Sequence, residues 1–132
     1  MKKYDNFCRS LANLEEGCQL EPPYSTVVLS GLVSLFQICF EQSWKAMKDI
    51  LEQHGYAESA TGSPRMVLRL AYQAGMISDE AAWLSALSDR NNVTHVYNEA
   101  LALEIVAHCR TTYVPMLRTL KETLEQSWLP TL

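Results

Sequence analysis

Apolar residues recur at spacings of three and four along nearly the whole chain, which is the period of an α-helix with one buried face. Tyr4, Phe7, Leu11, Leu14 and Cys18 mark a first amphipathic helix. The run Glu21-Pro22-Pro23-Tyr24-Ser25 breaks it, because proline lacks the N–H that a helix interior needs. A long second helix is predicted from about Ser25 to His54, with Leu32, Phe36, Phe40, Trp44, Met47 and Leu51 as its stripe and Gly55 at its C-terminal end. Tyr56 to Gly62 is small and polar and reads as a loop. Ser63-Pro64 has the form of a cap followed by proline at the first helical position. Met66, Val67, Leu70, Ala71 and Ala74 give a short third helix closed by Gly75. Ser78 is the expected cap of a fourth, through Trp83 and Leu87, with Asp79 and Glu80 in its first turn.

Asn91-Asn92-Val93-Thr94 joins two asparagines to two β-branched residues, all weak helix formers, and reads as a break or re-start. A last helix is expected from about Thr94 to Glu125, with Leu101, Ile105, Cys109, Tyr113, Leu117, Leu120 and Leu124 as its stripe and a kink or split at Pro115. The tail 126–132 is expected to fray. No strand pattern or repeat is present. The prediction is an all-α, up-and-down bundle of four to five helices forming one domain over residues 1–132. The two long helices exceed the needs of a small monomer, which suggests a two-fold homodimer.

Composition narrows the chemistry. Hydrophobic residues make up 48% of the 132 and charged residues 20%, the balance of an ordinary globular chain. A formal charge of −4 argues against a broad nucleic-acid footprint, so any RNA role must rest on a local site. The four cysteines, Cys8, Cys18, Cys39 and Cys109, lack zinc-ligand spacing and read as buried free thiols. His108-Cys109 is a weak metal candidate, and no metal is expected. Val27 to Phe40 is interrupted by Ser30, Gly31, Ser34 and Gln37 and reads as too short and too polar to span a bilayer. With no secretory leader after Met1-Lys2-Lys3, a cytoplasmic location without membrane contact is expected.

The run Arg90-Asn91-Asn92-Val93-Thr94-His95-Val96-Tyr97-Asn98-Glu99 concentrates the chemistry. It sets a permanent cation, the one side chain that exchanges protons near neutral pH, and a phenol at a helix boundary. On a continuous helix five residues rotate by about 140°, so Arg90 and His95 share a corner only if the helix breaks between them. His95 would then stand in the first turn of the last helix, where the dipole and free N–H groups favour a phosphate. RNA brings its own nucleophile, the 2′-hydroxyl. Cleavage then needs a proton acceptor, a donor and a cation: His95 for either proton role, Arg90 for the charge, and Asn91 as a neutral hydrogen-bonding aid. One histidine cannot readily fill both proton roles in one step, and a second copy in a dimer would supply the other. A surface reading competes, with His95 as a helix cap, Arg90 paired to Asp89 or Glu99, and Tyr97 as a core aromatic. Glu41 is either an exposed carboxylate or a group that orients Arg90.

Arg-x4-His-x-Tyr over Arg90, His95 and Tyr97 resembles the HEPN superfamily, and within it the HepT toxins of HEPN/MNT toxin–antitoxin pairs, also described as nucleotidyltransferase substrate-binding proteins. Phe40-Glu41-Gln42-Ser43-Trp44-Lys45 is similar to that family's Phe-Glu-x-x-Trp-Lys signature. Trp83-Leu84 followed by Asp89-Arg90-Asn91 is similar to the segment before its active site. The resemblance runs over roughly residues 4 to 125. It implies a homodimer with a composite cleft and metal-independent ribonuclease activity, with Arg90 and His95 catalytic and Asn91 assisting. It also implies a minimal nucleotidyltransferase antitoxin that transfers AMP from ATP to Tyr97, with no cofactor of the chain's own. Val93 and Val96 stand where that family would be expected to be more polar. The alternative is a non-catalytic subunit that presents substrate to the nucleotidyltransferase.

Overall fold

The computed structural model describes residues 1–56 and 62–132, so the expected loop between Tyr56 and Gly62 lies mostly outside the described residues. Its helices are α1 (Lys2–Gly17), α2 (Thr26–Gln53), α3 (Pro64–Gln73), α4 (Glu80–Asn91), α5 (Glu99–His108) and α6 (Val114–Thr123). The described residues hold no strand. The bundle expected from the periodicity is the one observed.

Local chemistry explains the boundaries. Ser25 and Ser63 stand in extended backbone and accept hydrogen bonds from Val28 N and Met66 N, satisfying N–H groups that the first turns of α2 and α3 leave over. Gly55 and Gly75, at φ of +91° and +81°, turn the chain out of α2 and α3 through the left-handed region that a Cβ disfavours. At α4 the cap is Asp79, which accepts from Ala82 N at 3.0 Å, one residue beyond the serine expected to fill it.

The last helical stretch departs most from expectation. It begins at Glu99, not near Thr94, because Asn98 in extended backbone accepts from Leu101 N at 3.2 Å and restarts the helix there. Val93–His95 forms a 3₁₀ turn instead. Past His108 the helix widens into a π segment, Cys109–Tyr113, before Pro115 opens α6. Pro115 has no N–H to offer the carbonyl one α-turn back, so the split expected at proline appears as a π segment upstream of it. A second π segment, Leu124–Trp128, and a 3₁₀ turn, Leu129–Thr131, follow. The tail stays on the bundle instead of fraying. Trp128 and Leu129 pack against the core, and His54 Nε2 lies 3.0 Å from the Trp128 carbonyl oxygen.

The main core is built from Phe7, Leu11 and Leu14 of α1, Phe36, Phe40, Met47 and Leu51 of α2, Trp83 of α4, and Tyr113, Leu117 and Leu124. Trp44 is only half-buried, and in α3 the interior positions are Val67, Leu68 and Ala71 while Met66 faces out. Cys39 and Cys109 are buried, but Cys8 and Cys18 are only partly so. Taken whole, α2 is long and apolar enough by length and composition to cross a membrane. Its stripe from Leu29 to Leu51 is, however, spent on the bundle's interior. A smaller cluster, Leu29, Leu32 and Val33 with Ala102 and Val106, joins α2 to α5 beside the corner that carries Arg90 and His95.

Candidate functional site

The corner is built by three short-range hydrogen bonds. Asn92 N donates to Asp89 O at 3.0 Å, His95 N to Asn92 O at 2.9 Å, and Asn98 N to His95 O at 3.0 Å. The chain therefore folds back between α4 and α5 within seven residues. Val93 and Val96 pack on the α2–α5 cluster, and Val96 also on the main core. Their apolar character staples the turn to the bundle, which accounts for two positions where polar residues would be expected.

Arg90 lies in the last turn of α4, where a cation is favoured by the helix dipole. Its Nε donates to Glu41 Oε1 at 2.5 Å, and its Nη1 donates to Asn91 Oδ1 at 3.0 Å. Trp44 Nε1 donates to the other oxygen of Glu41 at 3.1 Å. The Glu41 carboxylate, fixed from one side by the indole, thus fixes the guanidinium from the other. Glu41 orients Arg90, and the pairing of Arg90 with Asp89 or Glu99 does not occur. The remaining N–H groups of Arg90 have no partner among the described residues, so the guanidinium keeps donors for an anion.

His95 and Tyr97 are exposed, with ring centroids 6.2 Å apart and planes at 71°. Tyr97 is 86% exposed, so it is not a core aromatic. His95 caps no helix: it ends the 3₁₀ turn, and Asn98 does the capping. The expectation that His95 sits in the first turn of the last helix is therefore corrected. The α5 N-terminus lies past Tyr97, and Glu99, exposed in its first turn, takes up part of the positive end of that dipole. No hydrogen bond or ring contact joins Arg90 to His95 among the described residues. The turn sets them on one short stretch of chain without a contact between them, and two clefts elsewhere on the bundle, of about 350 and 500 Å³, include neither.

A second polar cluster lies behind Arg90 and has no counterpart in the sequence reading. Asp89, buried, accepts from Tyr113 Oη at 2.6 Å and lies 2.7 Å from His108 Nδ1, both through Oδ2. Ser85 Oγ is 2.9 Å from the Tyr113 hydroxyl. Burial, and then the hydrogen bond to Asp89, push the Tyr113 phenol above its ordinary range. His108 is thus engaged by a carboxylate and not by its neighbour Cys109. No group of three His, Cys, Asp or Glu side chains is arranged to hold a metal ion among the described residues.

The family described as nucleotidyltransferase substrate binding protein like matches residues 2–126, almost the entire chain. This chain belongs to that family. A crystal structure from Thermus thermophilus superposes with a TM-score of 0.79 at 29% identity, covering 91% of this chain and 99% of that one. A Haemophilus influenzae structure, described as revealing the fold of a substrate binding domain of a nucleotidyltransferase, superposes with a TM-score of 0.79 over 93% of this chain and 99% of that one. At 23% identity that likeness speaks for the fold alone. Among curated proteins, a probable ribonuclease HepT of Haemophilus influenzae is 28% identical over 82 residues, 61% of this chain and 56% of that protein. The chain thus spans a little over half the length of that relative.

Proposed function

We propose that this protein is a metal-independent ribonuclease of the HepT type, the toxin of a toxin–antitoxin pair, silenced when a partner nucleotidyltransferase adenylylates Tyr97. The observation that carries the reading is the composition of one corner: a guanidinium oriented by Glu41 with donors to spare, an exposed imidazole, and an exposed phenol in ring contact with that imidazole. In the proposed cleavage His95 takes the proton of the RNA 2′-hydroxyl, whose oxygen attacks the adjacent phosphorus. The bond to the 5′-oxygen breaks, and that oxygen takes a proton from a second imidazole. The products are a 2′,3′-cyclic phosphate and a 5′-hydroxyl. Arg90 offsets the charge gathering on the phosphoryl oxygens, with Asn91 assisting. One copy holds one such imidazole at this corner, so a homodimer pairing two corners supplies the second. The exposure of His95 in a single copy agrees with this.

In silencing, the Tyr97 hydroxyl attacks the α-phosphorus of ATP bound by the partner, and pyrophosphate leaves. The adduct sets a bulky anion on the ring that neighbours His95, where it blocks and repels an RNA phosphate. The chain itself needs no cofactor in this scheme. The test is to incubate the protein with its nucleotidyltransferase and ATP and to weigh the intact chain. One AMP is expected on wild type and none on Tyr97→Phe. Equal labelling of the two would overturn the role of Tyr97. Mixing wild type with His95→Ala tests the paired corner: a mixed dimer holds one imidazole only, so RNA cleavage should fall more steeply than the fraction of wild-type chain.

The second reading, a non-catalytic subunit that presents a substrate to a nucleotidyltransferase, is favoured by the family's description. It predicts that Arg90 and His95 hold a phosphate without breaking it, so that phosphorylated ligands bind and no RNA is cut.

A further inference from the structure

The last turn of a helix is its weakest part, because its carbonyls lack intrahelical partners. Arg90 occupies such a turn, one residue before α4 ends. Glu41 restrains its side chain from α2, but that bond does not hold the α4 backbone in the other direction. Neighbouring residues on a helix point about 100° apart, and Asp89 uses that divergence to reach the last helical stretch. Its Oδ2 meets both His108 Nδ1 at 2.7 Å and the Tyr113 hydroxyl at 2.6 Å. Those two residues are five apart, and on an α-helix they would stand about 140° from one another. The π segment Cys109–Tyr113 closes its hydrogen bonds over five residues, which brings both onto one side. Their rings lie 5.9 Å apart, edge to face. The widened turn is what allows one carboxylate oxygen to be gripped twice.

We infer that Asp89 is a positioning residue for Arg90, and that the π segment exists at this place to supply the His108 and Tyr113 grip that pins the end of α4. Pinned to α2 through Arg90 and to the π segment through Asp89, the α4 terminus presents the guanidinium in one orientation. Asp89 touches no substrate. It is buried behind the corner and acts through its neighbour. The inference deepens the ribonuclease reading and rests on it only for its activity readout.

The test uses the full chain with Asp89→Asn, which keeps the shape and removes the charge, and with Tyr113→Phe, which removes one donor and keeps the ring stacked on Phe36 at 5.3 Å. The first readout is the Arg90 Nε–H resonance, assigned by its loss in Arg90→Lys. Both variants should shift it and speed its exchange with solvent, Asp89→Asn more. The second readout is RNA cleavage, where kcat should fall by about ten- to a hundredfold with KM nearly unchanged. In an Arg90→Lys background, Asp89→Asn should cost nothing further. If the wild type cuts no RNA and the resonance still moves, the positioning role stands and the ribonuclease reading falls. A resonance unmoved in both variants overturns the positioning role whether or not RNA is cut, even if their melting temperatures drop.

Discussion

Arg90 has two neighbours of opposite character: Glu41, which neutralises it, and Asn91, which bonds it without charge. A guanidinium 27% exposed beside a carboxylate 22% exposed is neither a surface pair nor a fully dry one. Removing one partner leaves the other partly desolvated, so Glu41→Gln should lower stability by about 1–2 kcal/mol and loosen the orientation of Arg90. Chemical denaturation would read the first effect. A stability unchanged to within ~0.5 kcal/mol would contradict it. His95 is the opposite case. It is exposed and its side chain makes no hydrogen bond among the described residues, so His95→Ala should leave the melting temperature nearly unchanged. The same change should reduce RNA cleavage by about a hundredfold or more. The cation, imidazole and phenol are legible in the chain as a cluster of residue types. The partner of Arg90 is legible only as one of two options for Glu41, because a contact across 49 residues leaves no local signature.

Helix boundaries show where one-dimensional reading succeeds. Ser25, Ser63, Gly55 and Gly75 act through bonds and torsions within a few residues of themselves, and each stands where the sequence places it. At α4, Ser78 and Asp79 are adjacent residues of almost equal capping ability, and only the backbone geometry selects Asp79. Asp79→Ala should cost about 1 kcal/mol and Ser78→Ala only a few tenths. Equal losses in urea unfolding would argue that both serve. The last stretch departs from its sequence pattern for a physical reason. The apolar pattern runs without interruption from Leu101 to Leu124, yet Asn98 delays the helix start to Glu99, and Pro115 with the Asp89 contacts favours a π turn inside it. Hydrophobic period reports which face is buried. It does not report whether a turn closes on four residues or five.

At the scale of the whole molecule, burial governs the thiols. Cys39 is fully buried, and desolvation pushes its thiol up to about 12; the same cause raises Cys109 and, less strongly, Cys18. A raised thiol favours the folded state below the unfolded thiol range, and that advantage is lost as pH climbs through the folded value. Stability should therefore fall as pH rises from about 9 towards about 12, as unfolded chains release protons that folded ones retain. Denaturation midpoints across that range would check the sign, and a midpoint that rose would contradict it. Cys39 and Cys109 should also resist alkylation until the bundle opens. The fold itself is readable because the long apolar stripes are spent on the interior, whereas the proposed dimer would depend on a surface that periodicity does not mark.

The most direct measurement is to incubate the unmodified protein with total RNA in EDTA, with His95→Ala at equal concentration beside it and intact mass confirming that Tyr97 carries no AMP. Wild type is expected to cut the RNA, leaving 2′,3′-cyclic phosphate ends, and His95→Ala is not. RNA left intact by both proteins, or cut equally by both, would contradict this expectation.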